Sequence, residues 1–92
     1  MFDSLDEIKA AHTGYFFVAG TMKYWDSRVS EKVYPTPEGT FFVTSELDAE
    51  SETRLYTVRK ATADGSIWTA GEFQEHATLG AAHRAAEKLA AS

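Results

Sequence analysis

Apolar and polar positions in this 92-residue chain alternate with two different periods. From Ser4 to His12, Leu5, Ile8 and Ala11 recur at helical spacing. Ser4 is placed to cap, and Glu7, three residues on, to complete a capping box. The spacing predicts a short helix over 4–12, with Gly14 as its stop. The pattern then changes. YFFVAGTMKYW, 15–25, is rich in aromatic and branched residues and predicts a strand, with Gly20 marking a bulge or a close backbone approach. RVSEKVY, 28–34, alternates at period two and predicts an edge strand. PTPEG, 35–39, is a turn.

TFFVTSEL, 40–47, and LYTVRKA, 55–61, predict two further strands. Asp64-Gly65 supplies a hairpin turn into a returning strand, SIWTAGEF, 66–73. From Thr78 the period becomes helical again. Leu79, Ala82, Ala86 and Leu89 form one narrow face of a helix over 78–91, and its alanines allow close approach to a sheet. The order α-β-β-β-β-β-α predicts an α+β fold, with an antiparallel sheet of about five strands and the short N-terminal and longer C-terminal helices packed on it. Helices at the two ends are expected to cover one face. One ring of each pair, Phe16–Phe17 and Phe41–Phe42, then lies on the uncovered face, open to a partner or to a second copy of the chain, unless a strongly curled sheet buries both sets on itself.

Length bounds the chain to a single domain, 1–92. Starting at Met1 without a tag, it is expected to be a complete small protein. Without cysteine it cannot use disulfides, thiolate nucleophiles or zinc–thiolate sites, and a reducing cytoplasm is its expected home. The acidic start MFDSLDEIKA does not read as a signal peptide, and no apolar run approaches the roughly 18 residues of a membrane span. A net charge of −5 disfavours general affinity for phosphate backbones. Abundant alanine, no asparagine and only two isoleucines suit a GC-rich genome.

ELDAESE, 46–52, places Glu46, Asp48, Glu50 and Glu52 two residues apart with no base among them. An EF-hand starting at Glu46 would need Gly where Ser51 stands and Glu where Thr57 stands, so calcium is not expected. A hydrated hairpin connection and an acidic edge for a basic partner are the other readings. His12, His76 and His83 lack metal-ligand spacing, and no serine sits in a nucleophile elbow. The glycines form no phosphate loop. No catalytic residue, metal or cofactor is therefore assigned. In RLYTVRK, alternation puts Arg54, Tyr56 and Lys60 on one strand face, and the neighbouring strand offers Trp68; such a face can stack bases and hold phosphates.

The segment LYTVRKATADGSIWTAGEFQEHATLGAAHRAAEKLA resembles the β-β-α layout of arm-type DNA-binding domains of phage integrases. The whole chain resembles, in size and composition, small orphan accessory proteins of actinobacterial phages. That resemblance implies a cytoplasmic, non-catalytic protein that binds and redirects a host protein. Phe17 and Phe42 would supply its contacts, and Glu46, Asp48, Glu50 and Glu52 would steer a basic target. The alternative is nucleic-acid binding through Arg54, Tyr56, Lys60 and Trp68. Homodimerisation through the uncovered sheet face fits either reading.

Overall fold

A computed structural model describes residues 2–14, 16–18, 22–24 and 32–92. Helix α1 spans Leu5–Ala11 and begins where the sequence placed its cap: Ser4 Oγ accepts from the Glu7 N–H at 3.2 Å. Strand β3, Gly39–Asp48, and strand β4, Thr53–Ala61, form the central hairpin, joined by a turn over 49–52. Their register pairs Phe42 with Arg59 and Val43 with Val58. Strand β1, Met22–Tyr24, and strand β2, Tyr34–Thr36, both pair antiparallel with β3 along its other edge. They lie end to end there, β1 against 44–46 and β2 against 39–41. With strand β5 at Ile67–Thr69, the five strands of the described residues make a sheet only four strands wide, in the order β1-β3-β4-β5, with β2 extending the β1 edge. β5 closes the far side against β4. Helix α2, Leu79–Ala91, follows, with Thr78 Oγ1 accepting from the Ala81 N–H at 3.1 Å.

Three expected elements differ. The strand expected over 15–25 is in its described part a single 3-10 turn, Phe16–Val18, followed by β1. The edge strand expected over 28–34 begins only at Tyr34, and its residues 28–31 lie outside the described residues, as does Gly20. β5 is shorter than the expected 66–73. The chain turns away at Gly71, where φ is +90°, and a Cβ would come within 2.5 Å of Glu75 Oε1. It then folds back so that His76 and Tyr56 exchange two backbone hydrogen bonds, at 2.8 and 3.0 Å.

The helices do not share a face. Adjacent residues on a strand point to opposite sides, and each of the two sides has its own core. Phe41, Val43 and Val58 pack with Ala82 and Ala86 beneath α2. Phe42 and Ala61 pack with Leu5 and Ile8 beneath α1, together with the half-buried Phe16 and Phe17. The expectation of an uncovered aromatic face is corrected accordingly. α1 is short, but the Phe16–Phe17 turn extends its cover, and Phe42 is 1% exposed. Phe17 stacks on Phe42 with ring centroids 6.2 Å apart. Phe42 is thus a core residue, and Phe17 packs half-buried against it.

Candidate binding edge and cleft

β3 and β4 alternate residue types that build a polar cluster on the α1 side, beyond the reach of α1. Thr44 and Glu46 on β3 and Thr57 and Arg59 on β4 share this face, and all four are buried. Arg59 Nη2 meets Glu46 Oε2 at 3.0 Å. Its Nε donates to Thr44 Oγ1 at 3.0 Å, and its Nη1 to Thr69 Oγ1 at 2.6 Å. Glu46 also accepts from the hydroxyls of Thr44, at 2.6 Å, and Thr57, at 2.8 Å. Desolvating a carboxylate and a guanidinium is costly, and the threonines offset that by occupying their remaining hydrogen-bonding capacity. Thr57 Oγ1 in turn accepts from the Gln74 N–H at 2.8 Å. The guanidinium lies 5.1 Å from the Phe16 ring centre and 5.5 Å from that of Phe73. The cluster thus ties β5, through Thr69, and the loop after it, through Phe73 and Gln74, to the central hairpin.

What it holds in place is an open sheet edge. Ala70 donates to Val58 O at 2.8 Å, and Thr62 to Ser66 O at 2.9 Å. In an antiparallel ladder bonded pairs alternate. Ile67 and Thr69 therefore aim their N–H and C=O groups away from β4, and among the described residues no backbone group bonds to them there. Two large apolar side chains flank this edge. Trp68 is 61% exposed and points to the α2 side, opposite Lys60. Phe73 is 58% exposed and sits over Arg59 on the other side.

On the α2 side the edge opens into a cleft. α2 packs chiefly over β2, β3 and β4, and Trp68 on β5 stays 61% exposed. Between its second half and the turn at Gly71 lies a cavity of about 360 Å³. Val58, Ala70, Ala85 and Leu89 form its apolar wall, and Glu75, His76 and Lys88 its rim. Small side chains at Ala70, Gly71 and Ala85 leave this space open, whereas protein interiors are ordinarily close-packed. Glu75 is fixed, because its Oε1 accepts from the Glu72 N–H at 3.0 Å.

A third cluster joins α2 to β2. Tyr34 Oη and His83 Nδ1 share a hydrogen bond at 2.9 Å, while His83 Nε2 is buried and has no partner among the described residues. Burial and then Lys32 hold the His83 ring below its ordinary pKa. Burial and then Glu87 raise that of Tyr34.

The residues singled out in the sequence are dispersed. Glu46 is inside the sheet, paired with Arg59, and not part of an acidic surface. Asp48 ends β3, where its backbone carbonyl accepts from the Glu52 N–H at 2.8 Å, and Glu50 and Glu52 are exposed in the turn. The stripe of four acids fails because the strand stops at Asp48 and Glu52 adopts a φ of +56°. Arg54, Tyr56, Lys60 and Trp68 do share one side, as alternation indicated, but α2 crosses that side. Tyr56 packs against the α2 core, Arg54 donates to Ser45 Oγ at 3.1 Å, and the Lys60 ammonium lies 5.5 Å from the Phe41 ring centre. Trp68 alone of the four is exposed, and the other three are half-buried.

Reading the sequence missed Arg59, Thr44, Thr57 and Thr69. Their signal was present: an acid and a base, each two residues from a threonine, on strands joined by one turn. Among the described residues no group of three or more His, Asp or Glu side chains is placed to hold a metal ion, and no helix is long and apolar enough to cross a membrane.

No curated protein and no solved structure matches the chain. One family model matches residues 2–87, and the chain accordingly belongs to the family of unknown function DUF7447.

Proposed function

We propose that this is a non-catalytic protein-interaction module that receives an extended segment of a partner along β5. One observation carries the reading: Trp68 and Phe73, the two most exposed large apolar side chains among the described residues, stand on opposite sides of a strand edge with outward-facing backbone groups. Main-chain hydrogen bonds to Ile67 and Thr69 would supply affinity, and the two rings would clasp alternate side chains of the added strand. The Arg59 cluster supports this role by fixing Thr69 and Phe73 before the partner arrives, which lowers the ordering cost of binding. The acidic turn at Asp48, Glu50 and Glu52 and the net charge of −5 favour approach by a basic partner.

The test is capture by the immobilised full chain from an actinobacterial lysate, in parallel with a Trp68→Ala/Phe73→Ala variant. A protein retained after nuclease treatment by the wild type and lost from the variant supports the reading. Equal retention by both rules out the β5 edge. Retention that vanishes with nuclease would instead assign the chain to nucleic acid.

A further inference from the structure

The cavity beside α2 and the charges around β5 define the partner's chemistry. Ala70 continues the line of Trp68 on the α2 side of the sheet and also forms part of the cavity wall. A strand added to β5 would lie about 4.8 Å from it. Its side chain next to Ala70 would then stand at the cavity, against Ala85 and Leu89. Acids mark both ends of the edge. Before β5, Asp64 accepts from the Thr62 hydroxyl at 2.7 Å and the Ser66 N–H at 3.0 Å, which hold its pKa below the ordinary value. After β5, Glu72 is exposed and Glu75 is fixed on the cavity rim. Of the nearby cations, Arg59 is paired with Glu46 inside the sheet, Lys88 lies on α2, and Lys60 is drawn over the Phe41 ring.

We infer that the β5 edge and this cavity together select an extended basic peptide segment, one apolar side chain entering the cavity and Lys or Arg residues flanking it toward Asp64 and toward Glu72 and Glu75. This rests on the β5 reading above and adds to it an anchor pocket and a charge preference. The volume of about 360 Å³ falls within the range of ligand pockets and accommodates a branched aliphatic or aromatic side chain. Opposite charges at the rim set register and speed encounter.

The experiment is selection from a displayed library of random octapeptides on the full chain, with three variants in parallel. Trp68→Ala/Phe73→Ala tests the edge. Ala85→Leu fills the cavity, with Ala70→Leu as a second filling variant should the first not fold. Glu72→Gln/Glu75→Gln removes the rim charge. The expected result is enrichment of peptides with one large apolar residue flanked by Lys or Arg. Their binding falls roughly tenfold on each filling variant and by a similar factor on the Gln variant. Peptides enriched without an apolar–basic pattern, or bound equally by the filled and neutralised variants, overturn the inference while leaving the β5 edge intact, provided the Trp68/Phe73 variant loses them. Peptides retained by that variant overturn the β5 reading itself. An empty selection overturns the inference, and the capture experiment then decides the β5 reading separately.

Discussion

The α1-facing side of the β3–β4 hairpin contains two neighbouring cores built on opposite principles. At one end Phe42 and Ala61 meet Leu5 and Ile8, and the contact is wholly apolar. A few residues along the same strands, Glu46 and Arg59 meet across the sheet, ringed by Thr44, Thr57 and Thr69. The apolar end is non-directional and tolerates exchange of similar shapes. The polar end is directional: it fixes where Thr69 and the loop to Gln74 must lie, at a desolvation cost the apolar end does not bear. The comparison teaches that the end beneath α1 supplies stability, whereas the end tied to the open edge supplies position.

The largest break in that comparison is Phe42→Ala. It should destabilise the fold by about 4 kcal/mol, the usual cost of emptying a buried aromatic site, and denaturant unfolding would measure it. Arg59→Met should cost about 3 kcal/mol, because Glu46 is left buried and unpaired. The double variant Glu46→Gln/Arg59→Met should recover at least half of that loss in the same assay, while Thr69 and Phe73 lose their anchor. Amide shifts at Ile67 and Thr69 should therefore change in the double variant even where stability returns. Unchanged shifts there would contradict the positional role.

A smaller effect concerns the side under α2. The folded state binds a proton at His83 less readily than the unfolded chain does. The unfolded histidine charges near pH 6.5, so stability should be full above that value. It should decline as pH falls below it, levelling once the folded ring also protonates. His83→Phe should flatten this part of the melting-temperature profile between about pH 7 and 5. The smallest effect is expected at the β3–β4 turn. Neutralising Asp48, Glu50 and Glu52 should change stability by no more than about 0.5 kcal/mol. Association with a captured partner should slow and lose salt dependence. Unchanged association rates would remove the steering role.

Local chemistry was legible in the sequence where it acts over a few residues. Ser4, Thr78 and Asp64-Gly65 sit at the starts and turn they indicated. The β3 and β4 ranges followed from their alternation. What was not legible depended on tertiary choice. Alternation shows that Phe41 and Phe42 oppose each other, but not that each helix takes a different side. Phe16 and Phe17 have strand-forming side chains, yet packing on Phe42 recruits them into a 3-10 turn. Glu46 looked like one of four surface acids because its partner, Arg59, is 13 residues away, across the hairpin. The β5 edge was hidden for a similar reason: SIWTAGEF is a plausible full strand until Gly71 turns the chain and His76 bonds back to Tyr56.

The alanine contacts of α2 have a dynamic consequence. Ala82 and Ala86 bring the helix close to the sheet, but each covers little apolar area. α2 is therefore held to the sheet by many small contacts rather than by large side chains, and it detaches as a unit while the β3–β4 ladder stays paired. In native-state hydrogen exchange its amides should open as one group, at a free energy below that of global unfolding. Such a partly open form would uncover Phe41, Val43 and Val58, so the strength with which α2 is held also sets how often the chain shows its core to solvent.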